Sequence, residues 1–267
     1  MRIYKFGGAS VKDASGVKNL VKILNELGND KTLIVVSAMG KMTNSLEFVV
    51  KNYFENQKEL EYSLNEIFVF HNNILNELFS ENNHPIYSEI KEIFENLKVF
   101  LKRNKSPNYS FVYDQVVSFG EIVSTKIINS YLNYVNIKSN WLESRLLIKT
   151  DSKYRDANLN WQVTQTNISN RVNNSLLNIT QGFIASDDNN FSTTLGREGS
   201  DYSAAIFAYC LNAESVTIWK DVPGVLNADP RVFKKPQLLN KISYTEAIEL
   251  AFYGASIIHP KTLQPLQ

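Results

Sequence analysis

The sequence predicts a doubly wound α/β fold, in which helices cover both faces of a mainly parallel sheet. Two apolar stretches without alternation, Ile3–Phe6 and Thr32–Val36, have the composition of buried parallel strands. Each is followed by a glycine-containing turn and then by a segment with helical spacing of its apolar residues. This order of strand, turn and helix, repeated in succession, is typical of parallel α/β units. Ligands of such sheets bind at the carboxyl ends of the strands, where both turns are expected to lie.

The next segments predict helices. The first unit contains a helix from about Val17 to Leu27, which Gly28 ends, and the second helix begins near Thr43. Residues 51–108 lack glycine and keep helical spacing, so they predict two or three helices that form a lid or side layer. Within them, His71 is expected to be structural because no second His or Cys lies at metal-ligand spacing.

The α/β pattern resumes in the second half of the chain. Phe111–Phe119 is interpreted as a strand, and Gly120 and Glu121 as the start of the helix that follows it. Ser243 and Glu246 form a capping box before a later helix. The remaining strands are expected within residues 137–148 and at Asn178–Ile184, Glu214–Trp219 and Ile257–Ile258, and a loop is expected over 151–161.

The stretch Thr193–Leu211 carries the strongest site signal. A polar turn with two glycines leads directly into a helical pattern, and the free N–H groups of a helix start attract anions. Arg197 offers a planar fork for a carboxylate or phosphate, and Asp201 offers a negative partner for a substrate cation. Because the same residue types also serve as ordinary turn and cap residues, this stretch alone leaves both interpretations open.

Composition and charge exclude several classes of function. With 267 residues, 43% of them hydrophobic, and a net charge of +1, the chain has no general attraction for nucleic acid or membranes. Its single cysteine, Cys210, cannot form an internal disulfide. The N-terminal residues lack the pattern of a secretory signal, and no apolar run approaches the ~20 residues of a membrane span. We therefore expect a soluble cytoplasmic protein without nucleic-acid or membrane partners.

Several phosphate-binding and catalytic motifs are missing from the sequence. It contains neither G-x-x-x-x-G-K-[ST], G-x-G-x-x-G nor G-x-S-x-G, and no His or Cys pair has metal-ligand spacing. What remains is a series of glycine turns at strand ends with cationic side chains near them. These cations are Lys5, Arg197, Lys220, Arg231 and Lys261. The arrangement is suited to binding polyanions.

A series of motifs resembles, in order and over nearly the whole chain, those of aspartokinases, which are members of the amino acid kinase family. The motifs are KFGGASV (5–11), VVSAMGKMTN (35–44), SFGE (118–121), TQGFIAS (180–186), TTLGREGSDYSAA (193–205), WKDVPGVLNADPR (219–231) and FYGASIIHP (252–260). The resemblance implies a three-layer αβα sandwich with a mainly parallel central sheet. It further implies an amino-acid-substrate lobe over about 1–200 and a nucleotide lobe over about 201–267. The ACT regulatory domains usual in aspartokinases are absent from this sequence, so we expect a monomer or weak dimer.

The reaction implied by the resemblance is transfer of the ATP γ-phosphoryl group to the side-chain carboxylate of L-aspartate, with Mg²⁺ as cofactor. The implied catalytic residues are Lys5 and Asp201. The implied substrate-binding residues are Ser37, Thr43, Glu121, Phe183, Arg197 and Ser200, with Arg197 on the α-carboxylate and Glu121 with Asp201 on the α-ammonium group. The implied nucleotide-binding residues are Lys5, Gly7, Gly8, Lys220, Asp221 and Arg231. No protein ligand of the metal is assigned.

The sequence departs from the family pattern at four positions. Glu198 replaces a glycine, Ser256 replaces a lysine, and Leu226 replaces an aromatic residue that often flanks adenine. Lys220 stands where a threonine is common. We hypothesise that Lys220 supplies the missing cation on the phosphate side, so that Lys220→Thr raises the KM for ATP much more than the KM for aspartate. Glu198 would be unfavourable if it pointed at the phosphates and harmless if it faced solvent or Arg197.

Two other functions remain open from the sequence. The first keeps the fold and changes the acceptor to glutamate, acetylglutamate, carbamate or UMP. The motifs SFGE and GREGSD together favour an α-amino acid over these acceptors. The second is a nucleotide- or amino-acid-binding domain without turnover, which the departures at Glu198, Leu226 and Ser256 favour.

Overall fold

The computed structural model describes residues 1–81, 83–173, 175–254 and 257–267, so Ser256 lies outside the described residues. The strands are β1 (Arg2–Phe6), β2 (Thr32–Val36), β3 (Ser139–Leu142), β4 (Leu177–Gln181), β5 (Ile184–Ser186), β6 (Ser192–Thr194) and β7 (Ser215–Trp219). The helices are α1 (Ala14–Leu27), α2 (Met42–Glu55), α3 (Gln57–Leu78), α4 (Pro85–Arg103), α5 (Tyr109–Tyr134), α6 (Ser144–Leu147), α7 (Trp161–Arg171), α8 (Gly199–Cys210), α9 (Tyr244–Phe252) and α10 (Pro260–Leu263).

A parallel sheet forms the centre of the described structure. Its strand order is β3-β4-β2-β1-β7, and β5 and β6 form a separate antiparallel pair. In the middle of the sheet, Phe6 at the end of β1 pairs with Val36 of β2 and with Trp219 of β7. The carboxyl ends of these strands therefore meet along one edge, which is called the carboxyl edge below. The expected mainly parallel sheet is confirmed.

Helices cover both faces of this sheet. Successive side chains of a strand point to opposite faces, and accordingly Tyr4 and Phe6 pack with the apolar residues of α1 to α5. Ile3 and Leu33 pack with those of α6, α7 and α8 on the other face. The predicted three-layer αβα sandwich is confirmed. Lys5 lies on the face of Ile3 and is therefore directed towards α8.

The helical side layer predicted for residues 51–108 is present as the end of α2 together with α3 and α4. His71 lies buried in this layer, where its Nδ1 donates to the carbonyl of Ile67 at 2.8 Å and its ring meets the ring of Phe70 edge-on. Burial lowers the pKa of His71 to about 4, so the imidazole is neutral at physiological pH. These contacts are those of a structural histidine.

The interpretation of Phe111–Phe119 as a strand is wrong. These residues belong to α5, which continues without a break through Gly120 and Glu121. The helix is buried on most sides, so it lacks the one-sided apolar stripe that identifies a surface helix. Gly120 is a packing residue and not a turn, because a Cβ there would lie 2.9 Å from Leu46 Cδ1 and 3.1 Å from Ala38 Cβ. Glu121 therefore lies in the middle of a helix and not at its start.

Smaller differences concern strand ends. The predicted strand Asn178–Ile184 is divided into β4 and β5 because Phe183 has a left-handed backbone, with φ of 68°. Ile257 and Ile258 form bends before α10 and no strand. The capping box of α9 is confirmed: the Oγ of Ser243 accepts from the N–H of Glu246, whose carboxylate accepts from the N–H of Ser243 at 2.7 Å.

Candidate active site

A cleft with a volume of about 290 Å³ opens at the carboxyl edge of the sheet, between the ends of the central strands and the start of α8. This volume accommodates a ligand of amino-acid size. The cleft brings together most of the predicted site residues, namely Lys5, Gly8, Ser37, Thr43, Glu121, Phe183, Ser200, Asp201 and Lys220. It is also lined by Ala38, Gly40, Gly196, Glu198 and Gly199.

The floor of the cleft is built by two glycine turns in backbone contact. A Cβ on Gly8, which follows β1, would lie 2.7 Å from the carbonyl oxygen of Gly40 and 2.8 Å from that of Ala38. In the same place, the N–H of Gly40 donates to the carbonyl of Gly8 at 3.0 Å. No side chain larger than hydrogen fits between the two turns without displacing backbone. The turns after β1 and β2 are thereby held together under the ligand space.

Two lysines share one buried aspartate at one side of the cleft. Lys5 Nζ lies 2.6 Å from Asp201 Oδ1, and Lys220 Nζ lies 2.9 Å from Asp201 Oδ2. Lys5 and Asp201 are buried, and Lys220 is partly exposed. Lys5 comes from β1, Asp201 from the first turn of α8, and Lys220 from the residue after β7. The group of Lys5, Asp201 and Lys220 carries a net positive charge, which suits it to phosphate oxygens.

A buried carboxylate stands in another part of the cleft wall. The side chain of Glu121 accepts a hydrogen bond from the N–H of Ala38 through Oε1 at 3.4 Å, and within the described ranges Oε2 has no partner. Burial raises the pKa of Glu121 to about 8, while the Ala38 N–H and the Thr43 hydroxyl act in the opposite direction. A buried acceptor without a partner is unfavourable until a donor arrives. A cationic group of a ligand would satisfy it and restore the ionised form.

The entry of β5 and the start of α8 position Phe183 and Ser200. Phe183 has a left-handed backbone, which is uncommon for a bulky residue. Two hydrogen bonds maintain this backbone: the N–H of Phe183 donates to Ser203 Oγ, and its carbonyl accepts from the N–H of Leu195, both at 2.9 Å. Gly182 allows the chain before Phe183 to lie close to Ser200, because a Cβ on Gly182 would lie 2.6 Å from Ser200 Cβ.

Four predicted site residues do not line this cleft. Gly7 lies beside Lys5, since a Cβ on Gly7 would lie 3.3 Å from Lys5 Nζ. Arg197 is exposed at the rim, between the lining residues Gly196 and Glu198. Asp221 lines a neighbouring cleft of about 470 Å³, which shares Lys220 with the first. Arg231 is exposed and forms an ion pair with Asp229 at 2.7 Å.

Glu198, a departure from the family pattern, has partners that the sequence does not indicate. Its carboxylate turns neither to solvent alone nor to Arg197. Oε2 accepts from the N–H of His259 at 3.0 Å and lies 3.8 Å from Lys220 Nζ. These partners follow Glu198 in the chain by more than 20 residues, so no local pattern indicates them. The N–H of Ala38, which orients Glu121, was also missed because a backbone donor leaves no signal in residue identity.

Two further findings concern metal ions and membranes. Over the described ranges, no three His, Cys, Asp or Glu side chains are grouped so that they could hold a metal ion. None of the helices described is both long and apolar enough to span a bilayer.

The family model described as "Amino acid kinase family" matches residues 1–267. The chain belongs to the amino acid kinase family. Among its relatives, the bifunctional aspartokinase/homoserine dehydrogenase of Buchnera aphidicola is 34% identical over 277 residues, which cover 100% of this chain and 34% of the relative. Lysine-sensitive aspartokinase 3 of Escherichia coli is 33% identical over 269 residues, which cover 98% of this chain and 58% of the relative.

Solved structures of related enzymes share the fold of this chain. E. coli aspartokinase III in complex with aspartate and ADP superposes with a TM-score of 0.88 at 32% identity, covering 99% of this chain and 59% of the other. The aspartate kinase of Clostridium acetobutylicum has a TM-score of 0.83 at 25% identity, covering 100% of this chain and 57% of the other. The chain thus spans about a third to three fifths of the lengths of these relatives.

Proposed function

We propose that this amino acid kinase transfers the γ-phosphoryl group of ATP to the side-chain carboxylate of L-aspartate, which yields 4-phospho-L-aspartate and ADP. The observation that carries the proposal is that two kinds of charged group line the same cleft. One is the buried side chain of Glu121, and the other is the pair of lysines that contact Asp201. Glu121 suits an α-ammonium group, and the pair of lysines suits phosphate. The crystallised relative that binds aspartate and ADP supports the same pair of ligands.

The proposed aspartate site uses both walls of the cleft. Glu121 binds the α-ammonium group, and Arg197 reaches from the rim to the α-carboxylate as a planar fork. Ser37, Thr43, Phe183 and Ser200 surround the amino acid. Asp201 contacts the lysines at both of its oxygens, so in this structure Glu121 is the better candidate for the ammonium group.

The chemical step needs no strong base, because the side-chain carboxylate of aspartate is ionised at neutral pH. One of its oxygens forms a bond to the γ-phosphorus while the bond to the β,γ-bridging oxygen breaks, and the electron pair of that bond leaves with ADP. The main obstacle is repulsion between two anions. Lys5 offsets it as a fixed cation, and Asp201 orients Lys5 before the substrates arrive.

The nucleotide side of the proposal comprises Lys5, Gly7, Gly8, Lys220, Asp221 and Arg231. Mg²⁺ in kinase sites is typically bound by one or two carboxylates together with substrate phosphates. Both oxygens of Asp201 already contact lysines, so the phosphates of ATP would hold Mg²⁺, and the ion would neutralise part of their charge. We further propose that the protein acts in the cytoplasm.

The experiment is an assay of ADP release with hydroxylamine trapping of the acyl phosphate. Aspartate-dependent ADP release with formation of the hydroxamate is expected. Lys5→Met should lower kcat by ~100-fold, the usual effect of removing one charge-stabilising donor. Lys22→Met is the matched control, because Lys22 is exposed on α1.

Other outcomes separate the alternatives. Product with glutamate, acetylglutamate, carbamate or UMP, and not with aspartate, would favour an amino acid kinase with another acceptor. Binding of ATP without any product would favour the binding domain without turnover.

A further inference from the structure

Glu198 has a backbone conformation that its residue type does not favour. It is the N-cap of α8 with φ of 52°, and its side chain makes no capping hydrogen bond. A left-handed backbone is unfavourable for a non-glycine residue, whereas glycine adopts it freely. Residues held in this way cluster at functional sites, where another interaction compensates for the strain.

The compensating interaction is a set of contacts with two segments that are distant in the chain. The Oε2 of Glu198 accepts from the N–H of His259, which is the N-cap of α10, at 3.0 Å. The same oxygen lies 3.8 Å from Lys220 Nζ, which also donates to the carbonyl of Ile257. One carboxylate at the start of α8 thus joins the residue that follows β7 to the segment that leads into α10.

The charges explain why this carboxylate matters for Lys220. Asp201 alone gives two lysines a single counter-ion, so their ammonium groups repel each other. Glu198 supplies a second negative charge on the side of Lys220. Lys220 is therefore held beside Asp201 before a nucleotide arrives. A cation fixed in advance stabilises phosphate better than one that must be ordered during binding.

We infer that Glu198 is a positioning residue for the nucleotide side of the reaction: its carboxylate holds Lys220 beside Asp201 and fastens residues 257–259 to the start of α8. This inference rests on the proposed function and adds to it a residue with no assigned role. It also gives a role to a strained glutamate at a position where glycine would fit the backbone better.

The test compares Glu198→Gly with Glu198→Gln. Glu198→Gly relieves the backbone strain, so its unfolding midpoint should equal or exceed that of the wild type, yet its KM for ATP should rise about tenfold because Lys220 loses a charged partner. The KM for aspartate should change less than about twofold. Glu198→Gln keeps an acceptor for the His259 N–H without the charge, so its KM for ATP should lie between those of the wild type and Glu198→Gly. Lys220→Thr should raise the KM for ATP at least as much as Glu198→Gly.

Lys31→Gly is the matched control, since Lys31 also has positive φ, at 47°, and lies in the turn before β2. It should leave both KM values unchanged. A purely structural role for Glu198 would make stability and activity fall together, and that result overturns the inference. An ATP KM within about twofold of the wild type in Glu198→Gly, or an equal rise in the aspartate KM, also overturns it.

The failure of the proposed function would be seen separately, as a wild-type protein that does not release ADP with aspartate. In that case calorimetric titration with ADP still tests Glu198. A weaker ADP affinity in Glu198→Gly than in the wild type and Lys31→Gly supports the inference, and equal affinities or no ADP binding by the wild type overturn it.

Discussion

Glu121 owes its properties to its depth in α5. Its carboxylate is surrounded by protein, and its hydrogen bond from the Ala38 N–H does not compensate for lost hydration. The pKa of about 8 means that the proton leaves only at slightly alkaline pH when no ligand is bound. An ammonium group beside Oε2 would favour the ionised form and release that proton. In the proposed aspartate site, binding of the amino acid is therefore coupled to ionisation of Glu121.

We predict that the affinity for aspartate rises with pH between about 6 and 8 and then levels off, because the empty site holds a protonated Glu121 below its pKa of about 8. The measurement is the Kd of aspartate by calorimetry across this range, in buffers of different ionisation enthalpy to detect proton release. Glu121→Gln should bind aspartate more weakly and without this pH dependence. A wild-type affinity that does not change between pH 6 and 8 would contradict the assignment of Glu121.

At the level of elements, the site depends on how closely two turns approach each other. The turns after β1 and β2 meet through Gly8 and Gly40, with backbone in contact with backbone. Gly7 is adjacent in sequence but differs in surroundings. A Cβ on Gly7 would meet only the flexible end of Lys5 at 3.3 Å and the Trp219 carbonyl at 3.8 Å.

We predict that Gly8→Ala lowers the free energy of unfolding by about 2 kcal/mol, because the added methyl group would displace two backbone carbonyls. Gly7→Ala, with an ordinary φ of −73°, should change it by less than about 0.5 kcal/mol. Urea denaturation of both variants gives the comparison. Equal destabilisation of the two would mean that the contact between the turns does not constrain the fold.

At the level of the whole molecule, the sheet joins parts of the chain that the predicted lobes separate. β7, from the predicted nucleotide lobe, pairs with β1 along its full length. The predicted boundary near residue 200 falls within α8, and the two-lobe division stays a prediction. The side layer of α3 and α4 lies on the face of the sheet opposite α8 and forms one core with α5. His71 is buried in that layer with a lowered pKa, so the stability of the layer depends on pH.

We predict that acidification from pH 6.5 to 4 destabilises the protein in part through His71. The folded pKa of about 4 lies below the unfolded value of 6.5, so the unfolded chain binds the proton first and stability falls as pH falls through this window. Thermal unfolding from pH 4 to 7.5 should show a shallower loss in His71→Gln. If both proteins lose stability in parallel on acidification, His71 is not neutral in the fold as described.

Local patterns in the sequence were sufficient for the strands of the sheet, although they also predicted strands at 111–119 and 257–258 that are not present. The grouping of Lys5, Gly8, Thr43 and Asp201 in one site was implied by the family resemblance, and all four line one cleft. Strand order, glycine turns and helix starts are properties of short segments, and parallel strands place their ends at one edge whatever the details of packing. The motif TTLGREGSDYSAA likewise indicated the start of α8 and its negative residue before any distance was known.

Other features depended on contacts between distant segments. In sequence, the buried helix α5 resembles a strand followed by a turn. Burial on most sides removes the apolar stripe of a surface helix, and Gly120 allows close packing against Leu46 and Ala38 instead of forming a turn. The partners of Glu198 also became visible only in three dimensions. The sequence by itself determined the class of fold and the edge at which the site forms, since both follow from local order along the chain. Only the tertiary structure decided which charges pair there, because a carboxylate finds its counter-ion by position in space.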